Sequence, residues 1–150
     1  MQKKILYMFD SKNMLHILTI LEAIEKIFIY ISDFEDEEEF YFANKQLNFN
    51  ATVNLLIAIG EENKKIDDGL KISKKIRWKN ISAMRDKISH NYRGIDESMV
   101  WEIINEYLPT LKKLLIEMIP KIKDNKLYID KALQTDYYKE LDYLRLKSNK

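Results

Sequence analysis

Apolar side chains recur at steps of three and four along most of the chain, a spacing that places them on one face of an α-helix. In the first half this pattern predicts helices over 13–32 and 42–62. The stripe of the first is Met14, Ile17, Leu18, Leu21, Ile24, Phe28 and Ile31. The second is apolar over much of its circumference, so it either lies centrally in the fold or faces a partner.

The middle of the chain predicts a short helix over 67–75, capped by Asp67 or Asp68. A third long helix is expected over 79–92. It is buried through Ile81, Met84 and Ile88, and Gly94 follows as its C-cap.

The next helix begins at an N-cap, Asp96 or Ser98, and Ile95 is placed to pack on Val100. Pro109 lies within its apolar pattern, lacks a backbone donor and crowds the preceding turn, so a kink is expected near Tyr107. Pro120 bends or ends this helix. A last helix is predicted over 129–146.

Composition agrees with long helices, since the 150 residues include only three glycines and two prolines. The predicted fold is all-α: an up-and-down bundle of four to five helices plus a C-terminal helix. We expect one domain over 1–150, with a core at about 11–120 and a helical extension at about 121–150.

The absence of cysteine excludes disulfides and thiolate metal sites. No apolar run is long enough to span a membrane, so the expected location is cytoplasmic.

The net charge of +1 gives no global sign of nucleic-acid binding, but its distribution is uneven. Residues 64–93 hold ten Lys or Arg against three Asp. The acidic run at 35–39 is interpreted as a solvated loop or helix end. The basic segment is more informative because it contains one of only two histidines.

That histidine, His90, follows Arg85 by five residues and precedes Tyr92 by two. Histidine titrates near neutral pH and can move protons, and arginine grips phosphate through a planar fork of donors. Asp86, one turn before His90, can orient the imidazole, and Ser89 lies near the face of Arg85. The alternative is structural: a histidine near a helix C-terminus, a surface ion pair and a packed tyrosine.

Helical geometry separates Arg85 from His90 by about 140° around the axis, whereas Arg85 and Tyr92 share a face. A long arginine side chain can bridge part of this angle. The favoured alternatives are that the helix distorts near Gly94 or that two subunits share the site.

The spacing Arg-x4-His-x-Tyr resembles the signature of HEPN-domain proteins, specifically the HepT-like toxin group. Flanking stretches resemble the family in the same order, over roughly 11–119. They are Ile59-Gly60-Glu61, Trp78 with Ile81 and Met84-Arg85, Gly94-Ile95-Asp96 with Val100-Trp101, and Leu108-Pro109-x-Leu111.

The resemblance implies a helical homodimer with the motif helices facing each other, acting as a metal-independent endoribonuclease toxin without a cofactor. It also implies a nucleotidyltransferase antitoxin that adenylylates Tyr92. In such chemistry His90 would be the general acid and base, and Arg85 would stabilise the phosphate. Backbone phosphates of RNA would be held by Arg77, Lys79, Lys87 and Arg93.

Two departures from the family pattern stand out: Asp86 replaces a frequent Asn, and Arg77 replaces a proline.

The competing functional hypothesis is a non-catalytic HEPN subunit that binds a nucleotidyltransferase. His16 is expected to be structural or on the surface. Tyrosines late in the chain, such as Tyr107 and Tyr137, either stack on bases or pack in the core and interfaces.

Overall fold

The computed structural model describes residues 9–89 and 96–148. Its α-helices are α1 (Lys12–Ile31), α2 (Glu37–Phe42), α3 (Leu47–Asn63), α4 (Trp78–Ser82), α5 (Met84–Ser89), α6 (Glu97–Glu102), α7 (Leu108–Met118), α8 (Asn125–Ala132) and α9 (Tyr143–Ser148). The predicted all-α class is confirmed. Outside its helices, the described backbone makes one isolated β-bridge, between Phe9 and Ile122.

The long helices α1 and α3 form the centre of the fold and pack on each other more extensively than any other described pair. The predicted stripe of α1 is largely buried, with Met14, Ile17 and Leu21 fully enclosed. A polar contact joins the same two helices, because His16 Nδ1 lies 2.8 Å from Glu62 Oε2. This contact gives His16 a structural position between the helices.

The prediction of one helix from residue 42 was wrong, because a break separates α2 from α3. The acidic run, interpreted as a solvated loop or helix end, begins α2, where the Asp36 side chain accepts a hydrogen bond from the Glu39 amide at 2.8 Å. Acidic residues in the first turn of a helix are favoured by its dipole. Residues 44–46 then adopt three consecutive left-handed conformations, with φ of 50°, 56° and 70°.

The predicted helix over 67–75 was also wrong, since only a 3-10 turn forms there, at Asp68–Leu70. The side chain of Asp67 accepts a hydrogen bond from Asn13 Nδ2 at 3.0 Å, and its amide donates to Asn13 Oδ1 at 2.9 Å. These bonds tie the segment to the start of α1 rather than extending a helix.

The third predicted helix is interrupted at Ala83, where ψ is 0° and α4 gives way to α5. The interruption coincides with the close passage of the Ile81 and Ser82 carbonyls over Gly60 of α3. The proposed C-cap at Gly94 and the contact of Ile95 with Val100 lie outside the described residues.

The expected start and end of the following helix are confirmed. Asp96 is the N-cap of α6, and its carboxylate accepts from the Ser98 and Met99 amides. Near Tyr107, where a kink was predicted, the chain forms a π-helical turn at Ile103–Tyr107. Beyond α7 the chain tightens to a 3-10 turn at Pro120 and becomes extended at Ile122.

The predicted continuous helix over 129–146 was wrong, because α8 and α9 are separated by an extended residue, Thr135, and a 3-10 segment at Asp136–Leu141. The Thr135 hydroxyl donates to the Ala132 carbonyl at 2.8 Å and so competes with helix continuation. This C-terminal part packs on α1 and buries Ile129, Leu141 and Leu144. No helix in the described ranges is long and apolar enough to cross a membrane.

Candidate active site

Arg85 lies on the solvent side of α5, in a short amphipathic segment. Met84 and Ile88 point into the core, with 2% and 1% of their surface exposed. The three residues between them, Arg85, Asp86 and Lys87, are all exposed. The apolar pair therefore fixes the rotation of α5 and leaves these three charged side chains exposed to solvent.

Glu61, near the end of α3, contacts this surface. Its Oε1 atom lies 3.8 Å from Arg85 Nη1 and 3.1 Å from Lys64 Nζ. The hydrogen bond from Lys64, with a further contribution from the Arg85 charge, holds the pKa of the Glu61 carboxyl below its usual value. Glu61 is therefore an anionic partner for the arginine of the motif.

Gly60 explains how α3 comes so close to the segment that carries Arg85. A Cβ atom at position 60 would lie 2.8 Å from the Ile81 carbonyl oxygen and 3.5 Å from Met84 Cβ. Real Cβ atoms do not approach an oxygen so closely, so only glycine allows this packing. In Ile59-Gly60-Glu61, the first side chain is buried, the second permits contact and the third pairs with Arg85.

A polar contact from Asn63 fixes α4 beside the same end of α3. Asn63 is fully buried, and its Nδ2 atom donates to Ser82 Oγ at 2.9 Å and to the Trp78 carbonyl at 3.3 Å. Trp78 in turn donates its indole N–H to the Ser73 carbonyl at 3.0 Å. The residues before Arg85 are thus held by side chains as well as by apolar packing.

Of the basic residues predicted to bind RNA, Arg77, Lys79 and Lys87 are described; all three are exposed, but they do not form one group. Arg77 and Lys87 line a cleft of about 570 Å³ between α4, α5 and the π-helical turn. Lys79 lines a second cleft of about 480 Å³, together with Asp86, Lys64 and Lys71. Asp86 therefore shares its cleft with three lysines.

The remaining predicted site residues, His90, Tyr92 and Arg93, lie outside the described residues, as does the side chain of Ser89. Their roles stay predictions. Within 9–89 and 96–148, no three His, Cys, Asp or Glu side chains converge as metal ligands.

Sequence reasoning missed the roles of Glu61 and Asn63. Both follow Gly60 closely at the end of α3, and Glu61 belongs to a stretch that resembles the family. The partner of a surface carboxylate depends on which helices meet, and periodicity alone does not give that. The close approach at a glycine within a helix was the available signal.

Comparison with known proteins decides the family. The ribonuclease HepT-like family model matches residues 20–118, about two thirds of the chain. The chain belongs to this family. The match runs from the middle of α1 to the end of α7, includes Gly60, Glu61 and Arg85, and confirms the identification of a HEPN-domain protein made from the motif.

Curated relatives agree with the family match. Over 96 residues the chain is 35% identical to "Probable ribonuclease HepT" of Thermococcus cleftensis, covering 62% of this chain and 83% of that protein. Over 105 residues it is 34% identical to a candidate RNase of Methanocaldococcus jannaschii, covering 69% and 84%. No solved structure matches significantly.

Proposed function

We propose that this HepT-like protein is a metal-independent endoribonuclease and the toxin of a toxin–antitoxin pair. The observation that supports it best is Arg85, which lies exposed on α5 beside Glu61, in a chain whose family and named relatives are ribonucleases. The Arg85-x4-His90 spacing supplies a phosphate-binding cation and a group that titrates near neutral pH.

In the proposed reaction, His90 takes the proton of the attacking 2′-hydroxyl and returns a proton to the leaving 5′-oxygen. The P–O bond to the leaving nucleotide breaks as the bond to the 2′-oxygen forms. Arg85 stabilises the charge that develops on the phosphorane oxygens. Lys87, Arg77 and Lys79, which are exposed, and Arg93 hold the flanking phosphates.

The site is proposed to form in a homodimer with the α5 helices facing each other. A second copy would bring two arginines and two histidines into one cleft. Arg85 of one copy could then act together with His90 of the other, although the two residues lie on different sides of their own helix. The exposed side of α5 is consistent with such a contact. Light scattering should give twice the mass of the 18.0 kDa chain.

The proposed antitoxin is a nucleotidyltransferase that adenylylates Tyr92. The tyrosine oxygen attacks the α-phosphorus of ATP, a P–O ester forms, and pyrophosphate leaves with the electron pair of the broken bond. The added AMP brings bulk and negative charge beside Arg85, so it would exclude RNA from the site.

The deciding experiment is cleavage of a labelled RNA in EDTA by wild type, His90→Ala, Arg85→Ala and the distant surface variant Lys139→Ala. We expect cleavage by wild type and Lys139→Ala, and a loss of about a hundredfold or more in the other two. Intact mass identifies adenylylated preparations beforehand. Equal cleavage by all four proteins would refute the proposed roles. An unmodified dimer that binds a nucleotidyltransferase without cutting RNA would indicate the non-catalytic subunit instead.

We also propose that residues 121–150 belong to the same domain as the core, although the family match ends at residue 118. Lys123 N donates to the Phe9 carbonyl at 3.0 Å, and Phe9 N donates to the Lys121 carbonyl at 3.2 Å. Deleting residues 124–150 should abolish the single cooperative unfolding transition, because it uncovers the face of α1. A truncated chain that unfolds like the full one would make the extension a separate unit.

A further inference from the structure

The 570 Å³ cleft between α4, α5 and the π-helical turn combines an apolar floor with a cationic rim, and two of its lining residues, Met84 and Lys87, lie on the same helix as Arg85. The buried side chains Ile76, Ile81 and Met84 form much of the floor. The charged residues of the described lining are four cations and one carboxylate: Lys74, Lys75, Arg77, Lys87 and Glu102. Its volume is in the range of small-ligand sites, and its chemistry suits a ligand with a flat apolar part and attached anions.

Tyr107 supplies an aromatic ring at the edge of this cleft. It is 44% exposed and ends the π-helical turn Ile103–Tyr107, directly before Leu108-Pro109. Pro109 cannot donate to a carbonyl one turn earlier, which accounts for the widened turn. Such π-helical turns occur frequently at functional sites.

The other described tyrosines late in the chain pack against the core or against neighbouring side chains. Tyr128, Tyr138 and Tyr143 pack against the core. Tyr137 is exposed, but Lys26 Nζ lies 4.6 Å from its ring centroid and Tyr138 packs edge-on against it. Among the described tyrosines late in the chain, Tyr107 is therefore the one that lines this basic cleft.

We propose that this cleft is a subsite for one unpaired nucleotide of the RNA, adjacent to the cleavage position. The ring of Tyr107 stacks on the base, and the rim cations Lys87 and Arg77 hold the phosphates on either side. Asn80, also in the lining, offers amide groups to the edge of the base. The inference rests on the proposed function, since RNA is the ligand in both.

Single-stranded RNA fits this cleft better than duplex RNA. A base can contact the apolar floor only when it is unstacked and unpaired, whereas a duplex presents its phosphates and 2′-hydroxyls. An acidic peptide would satisfy the rim cations, but its affinity would depend on charge and not on the ring of Tyr107. The two ligands are therefore separable by experiment.

The test uses full-length His90→Ala protein and a fluorescein-labelled single-stranded RNA of about ten nucleotides, with binding followed by anisotropy across a salt series. Tyr107→Ala should lower the affinity about tenfold without changing the salt slope, and Tyr107→Phe should cost about twofold or less. Lys87→Ala should lower the affinity and also reduce the slope by about 0.7. Tyr137→Ala, which removes an exposed ring elsewhere, is the matched control and should change neither.

Two results would overturn the subsite: unchanged affinity in Tyr107→Ala, or an equal loss when the RNA is a duplex of the same sequence. Thermal melting should show that Tyr107→Ala folds, because the ring is exposed. RNA cleavage is measured separately with the wild-type protein, in which His90 is intact. In protein that intact mass shows to be unmodified, Tyr107-dependent binding without cleavage keeps the subsite and refutes the ribonuclease. Cleavage with Tyr107-independent binding keeps the ribonuclease and refutes the subsite.

Discussion

Gly60 on α3 lies directly against the carbonyl of Ile81 on α4, with room for a hydrogen but not for a methyl group. This contact places the end of α3 beside the segment that carries Arg85. Residues 59–61, which resemble the corresponding stretch of the family, therefore set the distance between α3 and α4. The same approach brings Glu61 within 3.8 Å of the Arg85 guanidinium.

Gly60→Ala should lower the free energy of unfolding by about 1–3 kcal/mol, because the added methyl group must push α4 away from α3. Urea denaturation measures the change. Asn54→Ala, an exposed substitution on the same helix, is the control and should stay within about 0.5 kcal/mol of wild type. If Gly60→Ala and wild type had equal free energies of unfolding, α4 would be able to move away from α3 without loss of stability.

Glu61→Ala should lower RNA cleavage about tenfold while leaving stability nearly unchanged. The loss in activity follows because the Arg85 guanidinium would lose a positioning partner, and small misplacements at a reacting centre are costly. Stability changes little because exposed ion pairs contribute about 1 kcal/mol or less. Single-turnover kinetics and urea denaturation measure the two quantities.

Lys64→Ala is the matched control for this effect, since Lys64 pairs with the same Glu61 oxygen at 3.1 Å. It removes that pair but leaves the contact between Glu61 and Arg85 in place. Cleavage should therefore remain near wild type. If Lys64→Ala lost as much activity as Glu61→Ala, the effect would come from local charge and not from the position of Arg85.

Sequence reasoning predicted the class of the fold and its long helices because apolar periodicity persists over many residues there. For α1, the predicted range 13–32 agrees with Lys12–Ile31. The N-cap at Asp96 and the irregular turn before Pro109 were also predictable, since each depends on one residue with a local effect.

The breaks at residues 44–46, 83 and 135 were not predictable by the same reasoning. No glycine or proline marks them, and apolar periodicity does not locate them. At Ala83 the helix changes where it crosses Gly60, and at Thr135 a side-chain hydrogen bond ends the turn. The division of the basic residues between two clefts likewise depends on the packing of α4 and α5 against their neighbours.

Lys45→Gly should raise the free energy of unfolding by about 0.5–1 kcal/mol. Lys45 has φ of 56°, where a side chain other than glycine costs about 1–2 kcal/mol. The greater freedom of glycine in the unfolded chain offsets part of this gain. Lys45→Ala removes the charge but keeps the strain, so it should give no gain. Equal stabilisation by both variants would show that charge and not backbone conformation limits stability here.

Tyr143→Phe should make the protein more stable at alkaline pH than wild type. The Tyr143 hydroxyl is buried and has no hydrogen-bond partner within the described part of the chain. Burial raises the pKa of this group well above its ordinary value near 10. The folded state therefore keeps a proton that the unfolded state releases, and this contribution to stability declines as the pH rises above about 10.

The expected difference appears when unfolding free energies are measured from pH 8 to about pH 11. Wild type should lose up to about 1.4 kcal/mol per pH unit more than Tyr143→Phe above pH 10, and near neutral pH the variant should match or slightly exceed wild type. Phenylalanine keeps the ring that Lys112 Nζ approaches to 4.7 Å, so the cation–π contact survives. Tyr107→Phe, at an exposed ring, should follow the wild-type curve. Parallel curves for wild type and Tyr143→Phe would show that the hydroxyl reaches water in the folded protein.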